Sequence, residues 1–341
     1  MSNKAATQPV YTSLLDPNNP TIRQQLIRKI QNALDGKLIT YTASPNHPYP
    51  TIMMQDAKLL EDLLRGASEG RNGYLMITSP GGDPNAAEKL CMMCRERFSE
   101  GFYVIVPDYA KSAATLIALG SDKILMGYLA ELGPIDPQIQ QAPIPGASLP
   151  ARAFIDGLEY IRNRVKNEGD PPTMYYPMLT QIQPHVIAIC ESAIENSKAT
   201  AEKLLKQYTL AKDPKQAECV ASWLSDGKTY RPHGKVISYD EVKQVLKLNV
   251  EKLDPQTELW NDIWELYLRS SHFLQTSGVA KLLESEKTSL NMVIQVSVAP
   301  RLGPPRPRLR PREPEIPKEE GGHLTRKIET ETPSAFFSPS S

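Results

Sequence analysis

The sequence is poor in several features, and each shortage excludes a class of protein. Its four cysteines, Cys91, Cys94, Cys190 and Cys219, are too few and too scattered for a disulfide framework. No apolar run reaches the roughly 18 residues that a membrane-spanning helix needs. The N-terminal stretch lacks the basic and apolar regions of a secretory signal. We therefore expect a soluble protein of the reducing cytoplasm.

An excess of either charge is also absent. Lys and Arg total 39, Asp and Glu also total 39, and the formal net charge is zero. This balance argues against a specific nucleic-acid partner or an anionic membrane surface. Because there is no phosphate-binding P-loop and no metal-ligand motif, we expect no cofactor, no metal and no ATP hydrolysis within this chain.

One CxxC pair, Cys91 and Cys94, falls on a predicted helix. Zinc needs four ligands, and no second cysteine pair lies close by in the sequence. Two small apolar sulfurs on the buried face of a helix are therefore the better interpretation.

The residues that are present divide the chain into three parts. Residues 1–20 form a polar, turn-rich lead-in, and residues 21–298 form the body. Residues 299–341 interleave arginine with proline, which lacks a backbone donor, so this tail is predicted to be disordered with polyproline character. The tail could bind a partner, or it could be a solvated tail with no partner of its own.

The body alternates strand and helix patterns. Short apolar runs at 74–78, 103–106 and 124–126 predict buried strands, and helices are predicted from Pro84 and from Ser112. Strands that are apolar almost throughout are typical of a parallel sheet covered by helices, which predicts an α/β domain. Residues 151–212 look helical with a break near 169–177, and another helix contains Trp260 and Trp264.

Two loops at strand ends carry residues that could do chemistry. In the first, Gly81 and Gly82 allow the backbone to approach a ligand and to direct N–H groups at a developing oxyanion, although a plain tight turn is the alternative. In the second, Ser112 lies at the first turn of a short helix, where the helix dipole favours a partly anionic oxygen. The alternative is that Ser112 only caps this helix.

Together these loops resemble those of a known family. The blocks LMITSPGGDPNAAEKL, VIVPDYAKSAATLIALGSDKILMG and ELGPIDPQ follow one another between residues 74 and 138. In this order and spacing they resemble the serine dehydrogenase proteinase family, a branch of the Clp protease/crotonase superfamily. The resemblance implies an α/β fold, a Clp/crotonase-like spiral of ββα units with added C-terminal helices, and assembly into a homo-oligomer.

The resemblance also implies roles for individual residues. Gly81 and Gly82 match the glycine pair that supplies an oxyanion donor in Clp-type peptidases. Ser112 falls where those enzymes carry their nucleophile, and the N–H of Ala113 matches the second oxyanion donor. The implied activity is that of a serine endopeptidase acting on a protein or peptide substrate.

The general base is where this sequence departs from the family pattern. Clp-type peptidases place a histidine about two dozen residues after the nucleophile, but this chain has no histidine between Ser112 and residue 184. His233 has a suitable intrinsic pKa and lies in a segment resembling a histidine-containing patch of family domains. Lys166 is the other candidate, by similarity to the Ser–Lys pair of signal peptide peptidase A. Both candidates stay open at this point.

Two more residues belong to the candidate site. Asp136, within GPIDPQ, is a weak proton acceptor because an unperturbed Asp has a pKa near 3.9. Lys111 directly precedes Ser112, and since neighbouring side chains diverge, we expect an electrostatic role rather than that of a base.

Two other functions fit the same loops. A crotonase-like acyl-binding enzyme would use the oxyanion site without a covalent step, and Asp83 or Asp136 would supply its carboxylate. A non-catalytic oligomeric scaffold would use the body for assembly and the tail for recruiting a partner.

Overall fold

The structure is a computed structural model that describes residues 20–66, 72–140, 148–180 and 184–292. The chain divides into two units, residues 1–295 and 296–341, and all the described residues belong to the first. The predicted tail at 299–341 and all but the last residue of the predicted lead-in at 1–20 lie outside the described residues. The predicted domain boundaries therefore stay predictions.

A seven-stranded sheet forms the centre of the described unit. The strands in chain order are β1 (Lys37–Ala43), β2 (Asn72–Thr78), β3 (Gly101–Val106), β4 (Tyr109–Ala110), β5 (Lys123–Met126), β6 (Glu131–Leu132), β7 (Gln138–Gln140), β8 (Ser148–Pro150), β9 (Ile237–Ser238), β10 (Val250–Lys252), β11 (Lys281–Glu284) and β12 (Ser289–Met292). The central sheet has the order β10-β5-β3-β2-β1-β11-β12. Its strands from β10 to β1 are parallel, and β11 and β12 add antiparallel pairs at one edge.

Helices cover both faces of this sheet. They are α1 (Pro20–Leu34), α2 (Asp56–Arg65), α3 (Pro84–Arg97), α4 (Ala113–Leu119), α5 (Ala151–Asn167), α6 (Tyr176–Leu179), α7 (Pro184–Gln207), α8 (Pro214–Ser225), α9 (Tyr239–Gln244) and α10 (Glu258–Ser277), with a 3-10 turn at Pro172–Tyr175. The 3-10 turn and α6 lie in and just after the predicted break at 169–177. Among the described residues, no helix combines the length and the apolar character needed to cross a bilayer.

The side chains of β3 alternate between two cores. Phe102, Val104 and Val106 join the larger core, to which α2, α3, α4, α7 and α8 contribute. Ile105 points to the opposite face and joins the core formed with α1 and α10. Because both faces of the strand are buried, its sequence is apolar almost throughout, as expected of a parallel strand between helical layers. The predicted α/β class with C-terminal helices is confirmed.

A second, small sheet lies at the ends of the central strands. It has the order β4-β6-β9, with two residues in each strand. β4 follows β3 and precedes α4, so β3, β4 and α4 together form one strand–strand–helix unit. This small sheet determines where the candidate site residues lie.

Candidate active site

The two loops singled out in the sequence are joined by backbone hydrogen bonds. The N–H of Ser79 donates to the carbonyl of Tyr109 (3.2 Å), and the N–H of Lys111 donates to the carbonyl of Ser79 (3.0 Å). The loops follow β2 and β3, which are adjacent parallel strands, so both emerge at the same edge of the sheet. The glycine pair is thereby placed beside Ser112.

Each glycine of the pair is required by a close approach of backbone. Gly81 has φ of +108°, and a Cβ there would lie 2.5 Å from Cβ of Ser112 and 3.1 Å from the amide nitrogen of Ala113. A Cβ on Gly82 would lie 2.3 Å from the carbonyl oxygen of Ile52. Ile52 holds this bend on its other side, since its N–H donates to the Gly81 carbonyl (2.7 Å) and its carbonyl accepts from Asp83 N–H (2.9 Å).

Ser112 has an unusual backbone for a residue with a side chain. Its φ is +50° and its ψ is −118°, at the residue before α4 begins. Its hydroxyl does not cap α4 and makes no hydrogen bond among the described residues. The cap interpretation therefore does not account for this serine, whose half-buried side chain faces a cavity instead.

Two amide groups beside Ser112 are available to a ligand. In the described part of the chain, the N–H groups of Gly82 and Ala113 make no hydrogen bond. The N–H of Gly81, in contrast, donates to the hydroxyl of Ser79 (3.1 Å). This differs from the prediction, in which both glycines offer a donor: Gly81 supplies space for Ser112 rather than a free amide.

Asp136 and His233 form a close pair, although 97 residues separate them in the sequence. Nδ1 of His233 lies 2.6 Å from Oδ1 of Asp136. Asp136 is 2% exposed, and its other oxygen accepts from the amide of Gln138 (3.1 Å). The small sheet explains the pairing, because β6 leads to Asp136, β9 follows His233, and β6 pairs with β9.

The loop that carries Asp136 is fixed on both sides. Before Asp136, the hydroxyl of Thr115 on α4 accepts from the N–H of Gly133 (3.1 Å), and the carbonyl of Ile135 accepts from the hydroxyl of Ser197 on α7 (2.6 Å). After Asp136, the carbonyl of Pro137 accepts from the first N–H of α5 (2.8 Å). The carboxylate therefore has a defined position relative to α4, which begins at Ala113.

A cavity of about 520 Å³ brings these groups together. Ser112, Ala113, Gly81, Gly82 and His233 all line it. Apolar side chains form much of the remaining wall, namely those of Ile52, Met53, Leu116 and Ile135. The volume falls in the range of small-ligand sites, and a largely apolar wall with a few convergent polar groups is typical of them.

The two lysines of the candidate site are placed differently. Lys166 is exposed near the end of α5 and is not among the residues that line this cavity. Lys111 ion-pairs with Glu131, with Nζ 2.7 Å from the carboxylate oxygen. Of the two bases that the sequence left open, the structure brings His233, and not Lys166, to the cavity of Ser112.

The sequence reasoning missed the partnership of Asp136 with His233 and the contribution of Ile52. The GPIDPQ motif was a usable signal for Asp136, since an acidic residue in a rigid proline-flanked loop is suited to orienting another group. No local pattern indicates that Ile52 pairs with the diglycine bend. Within the described ranges, no group of three His, Cys, Asp or Glu side chains is placed to hold a metal ion.

The α/β fold places a serine directly before a short helix, where this serine lies beside a diglycine bend. Residues 19–154 match the model of the family described as ClpP-like SDH-type serine proteinase. The family resemblance that the motifs carry is thereby confirmed for this part of the chain. The matched segment contains Gly81, Gly82, Ser112 and Asp136, and His233 lies beyond it.

Two curated relatives are uncharacterized proteins of Methanocaldococcus jannaschii. The first is 34% identical over 130 residues, which is 36% of this chain and 45% of the relative. The second is 34% identical over 121 residues, which is 36% of this chain and 40% of the relative. The chain thus spans less than half the length of either relative.

Similar solved structures include two proteases. A variant of the membrane-bound stomatin-specific protease 1510-N has a TM-score of 0.37 at 14% identity, with 64% of this chain and 80% of that chain covered. A ClpP1 variant from Listeria monocytogenes has a TM-score of 0.33 at 13% identity, with 69% of this chain and 99% of that chain covered.

Proposed function

We propose that this protein is a serine peptidase in which Ser112 is the nucleophile, His233 the general base and Asp136 the group that orients His233. The observation that carries the proposal is that His233, paired with Asp136 at 2.6 Å, lines the cavity that also holds Ser112 and two free amides. A nucleophile, a base and a third group that orients the base form the arrangement that acyl-transfer enzymes reach on unrelated folds.

The proposed reaction begins with attack of Ser112 Oγ on the carbonyl carbon of a peptide bond. His233 Nε2 accepts the hydroxyl proton, while Asp136 accepts a hydrogen bond from Nδ1 and stabilises the imidazolium. The N–H groups of Gly82 and Ala113 donate to the oxyanion; removing one such donor typically costs about 2.7–4 kcal/mol of transition-state stabilisation. His233 then protonates the leaving amine, and water hydrolyses the acyl-enzyme by the same route.

An acyl-binding enzyme with no covalent step has less support, because it needs a free carboxylate over the bound thioester. Asp83 is exposed, and its side chain caps α3 by accepting from Asn85 N–H (2.9 Å). Asp136 is already engaged with His233.

A non-catalytic scaffold also has less support. A scaffold role would fit a cavity without a base, whereas His233 lines the cavity of Ser112. Assembly as a homo-oligomer and a partner for the tail stay predictions.

Replacing Ser112 with Ala tests the proposal. We expect labelling by a serine-reactive fluorophosphonate and hydrolysis of a peptide substrate to be lost together, because the attacking oxygen is removed. Labelled protein is measured by intact mass, and Ser99→Ala, an exposed serine outside the cavity, should be labelled like the unaltered chain. Unchanged labelling of Ser112→Ala would show that Ser112 is not the nucleophile.

A further inference from the structure

The ammonium group of Lys111 is fully occupied by three acceptors. Nζ lies 2.7 Å from Oε1 of Glu131, 3.3 Å from the carbonyl of Leu132 and 3.2 Å from the carbonyl of Lys235. A lysine ammonium has three N–H donors, so none is left for a substrate or for Ser112. The side chain of Lys111 is 15% exposed, and its stem packs on Gly133, where a Cβ would lie 2.5 Å from Cδ of Lys111.

The three acceptors belong to segments that carry the proposed catalytic residues. Lys111 itself lies between β4 and Ser112. Glu131 and Leu132 form β6, which leads to Asp136. Lys235 lies two residues after His233. One cation therefore connects the chain segments of the nucleophile, the orienting carboxylate and the base.

His233 lies inside a tight turn whose last residue is the one that Lys111 contacts. The N–H of Lys235 donates to the carbonyl of Pro232 (2.7 Å), which makes His233 the second residue of a four-residue turn. On the other side of His233, Arg231 Nε donates to the carbonyl of Gly227 (2.6 Å). Lys111, which directly precedes the proposed nucleophile, thus restrains the C-terminal end of the turn.

We propose that Lys111 is a positioning residue that holds the His233 turn in register with Ser112 and Asp136. This inference rests on the proposed function. Proton transfer needs reacting atoms within hydrogen-bond reach, and a displacement of about 1 Å can cost about 100-fold in rate. A two-residue strand such as β9 provides few backbone hydrogen bonds, so the contact of Lys111 with the Lys235 carbonyl adds to the restraint that Arg231 and Asp136 place on this turn.

The test compares Lys111→Met, which keeps the stem and removes the charge, with Glu131→Gln, which keeps both carbonyl contacts of Lys111. The control is Lys37→Met, whose ion pair with Glu286 is similar in length (2.9 Å) and also partly buried, on a different part of the sheet. We expect Lys111→Met to lower kcat by a factor of about 10 to 100 with little change in KM. Glu131→Gln should lower kcat less, Lys37→Met should not lower it, and Lys111→Arg should recover part of the loss.

Hydrogen exchange provides a readout that does not depend on activity. In Lys111→Met, the amide of Lys235 should exchange about tenfold faster, because the turn opens locally once its last carbonyl is released. Lys37→Met should leave that amide unchanged. If Ser112→Ala retained activity, the proposed function would fail, while faster exchange would still support the restraint on the turn. A raised KM with unchanged kcat, or unchanged exchange at Lys235, would overturn the positioning role.

Discussion

Ser112 combines a strained backbone with fixed neighbours. Positive φ in a residue with a side chain costs about 1–3 kcal/mol and persists only where the surroundings impose it. Here the N–H of Lys111 is held by the Ser79 carbonyl (3.0 Å), and the carbonyl of Lys111 accepts from Ala114 N–H (2.9 Å). The carbonyl of Ser112 in turn accepts from Leu116 N–H (3.2 Å). The peptide units before and after Ser112 are thereby fixed, and the hydroxyl is directed to the cavity instead of to the helix end.

The role of Asp136 can be tested by changing its charge and keeping its shape. Asp136→Asn should lower kcat by a factor of up to about 10⁴, because an amide nitrogen facing His233 Nδ1 stabilises the wrong tautomer of the imidazole. The measurement is kcat and KM on a fluorogenic peptide.

Asp83→Asn provides the matched control for this change. Asp83 lines the cavity that also contains Ser112 and His233, and asparagine caps helices as well as aspartate does, so the folded structure should be retained. An equal loss of kcat in both variants would show that net charge in the cavity, and not the orientation of His233, is what matters.

Helix α3 shows how far sequence patterns reach at the scale of an element. The helix begins at Pro84 after an Asp83 cap, as predicted from the proline and the preceding turn. Cys91 and Cys94 both point into the larger core and are fully buried. Burial raises the pKa of Cys91 to about 12 and raises that of Cys94 well above its ordinary value, so both thiols stay protonated.

Thiol alkylation should therefore separate the cysteines. In the native protein at about pH 8, iodoacetamide should modify the exposed Cys219 and leave Cys91 and Cys94 unmodified, because the thiolate is the reactive form. All four thiols should react after denaturation. Peptide mass spectrometry distinguishes the sites, and Cys219→Ser is the control. Rapid native alkylation of Cys91 would contradict the burial of this face.

Elements with a strong local pattern were predictable, and pairings between distant segments were not. The runs at 74–78, 103–106 and 124–126 fall within β2, β3 and β5, because apolar strands produce a local signal. The strands of the small sheet have two residues each, which is too few to show the hydrophobic periodicity by which a strand is recognised in a sequence. Ser112 and the diglycine bend were therefore found from motifs, whereas the Asp136–His233 pair depends on the β6–β9 pairing.

At the scale of the whole unit, two buried ion pairs connect the beginning of the described chain to its end. Arg23 on α1 bonds to Glu284 on β11, with Nε 2.9 Å from the carboxylate. Lys281 on the same strand lies 2.8 Å from Asp56 on α2, and both side chains are fully buried. Asp56 also accepts from the hydroxyl of Tyr41 (2.7 Å). These contacts join β11 to elements more than 200 residues earlier.

The Lys281–Asp56 pair lies behind one wall of the proposed site. Asp56 accepts from the N–H of Met53 (2.9 Å), and Met53 lines the cavity next to Ile52, which pairs with the diglycine bend. Burial lowers the pKa of Lys281 in spite of the opposing effect of Asp56, which indicates that desolvation of the cation is costly. The pair therefore contributes less to net stability than its short distance suggests, but each charge depends on the other.

Removing one charge of the pair should consequently lower the stability of the protein strongly, and removing both charges should lower it less. Lys281→Met leaves a buried, unpaired carboxylate and should lower the free energy of unfolding by about 3–5 kcal/mol, whereas Lys281→Met combined with Asp56→Asn should lose less. Urea unfolding followed by circular dichroism gives these values. Lys123→Met, which breaks a largely exposed pair with Glu251, should change stability by no more than about 1 kcal/mol. If Lys281→Met lowered the free energy of unfolding no more than Lys123→Met does, Asp56 would have to be accessible to water. That result would contradict a buried ion pair between β11 and α2.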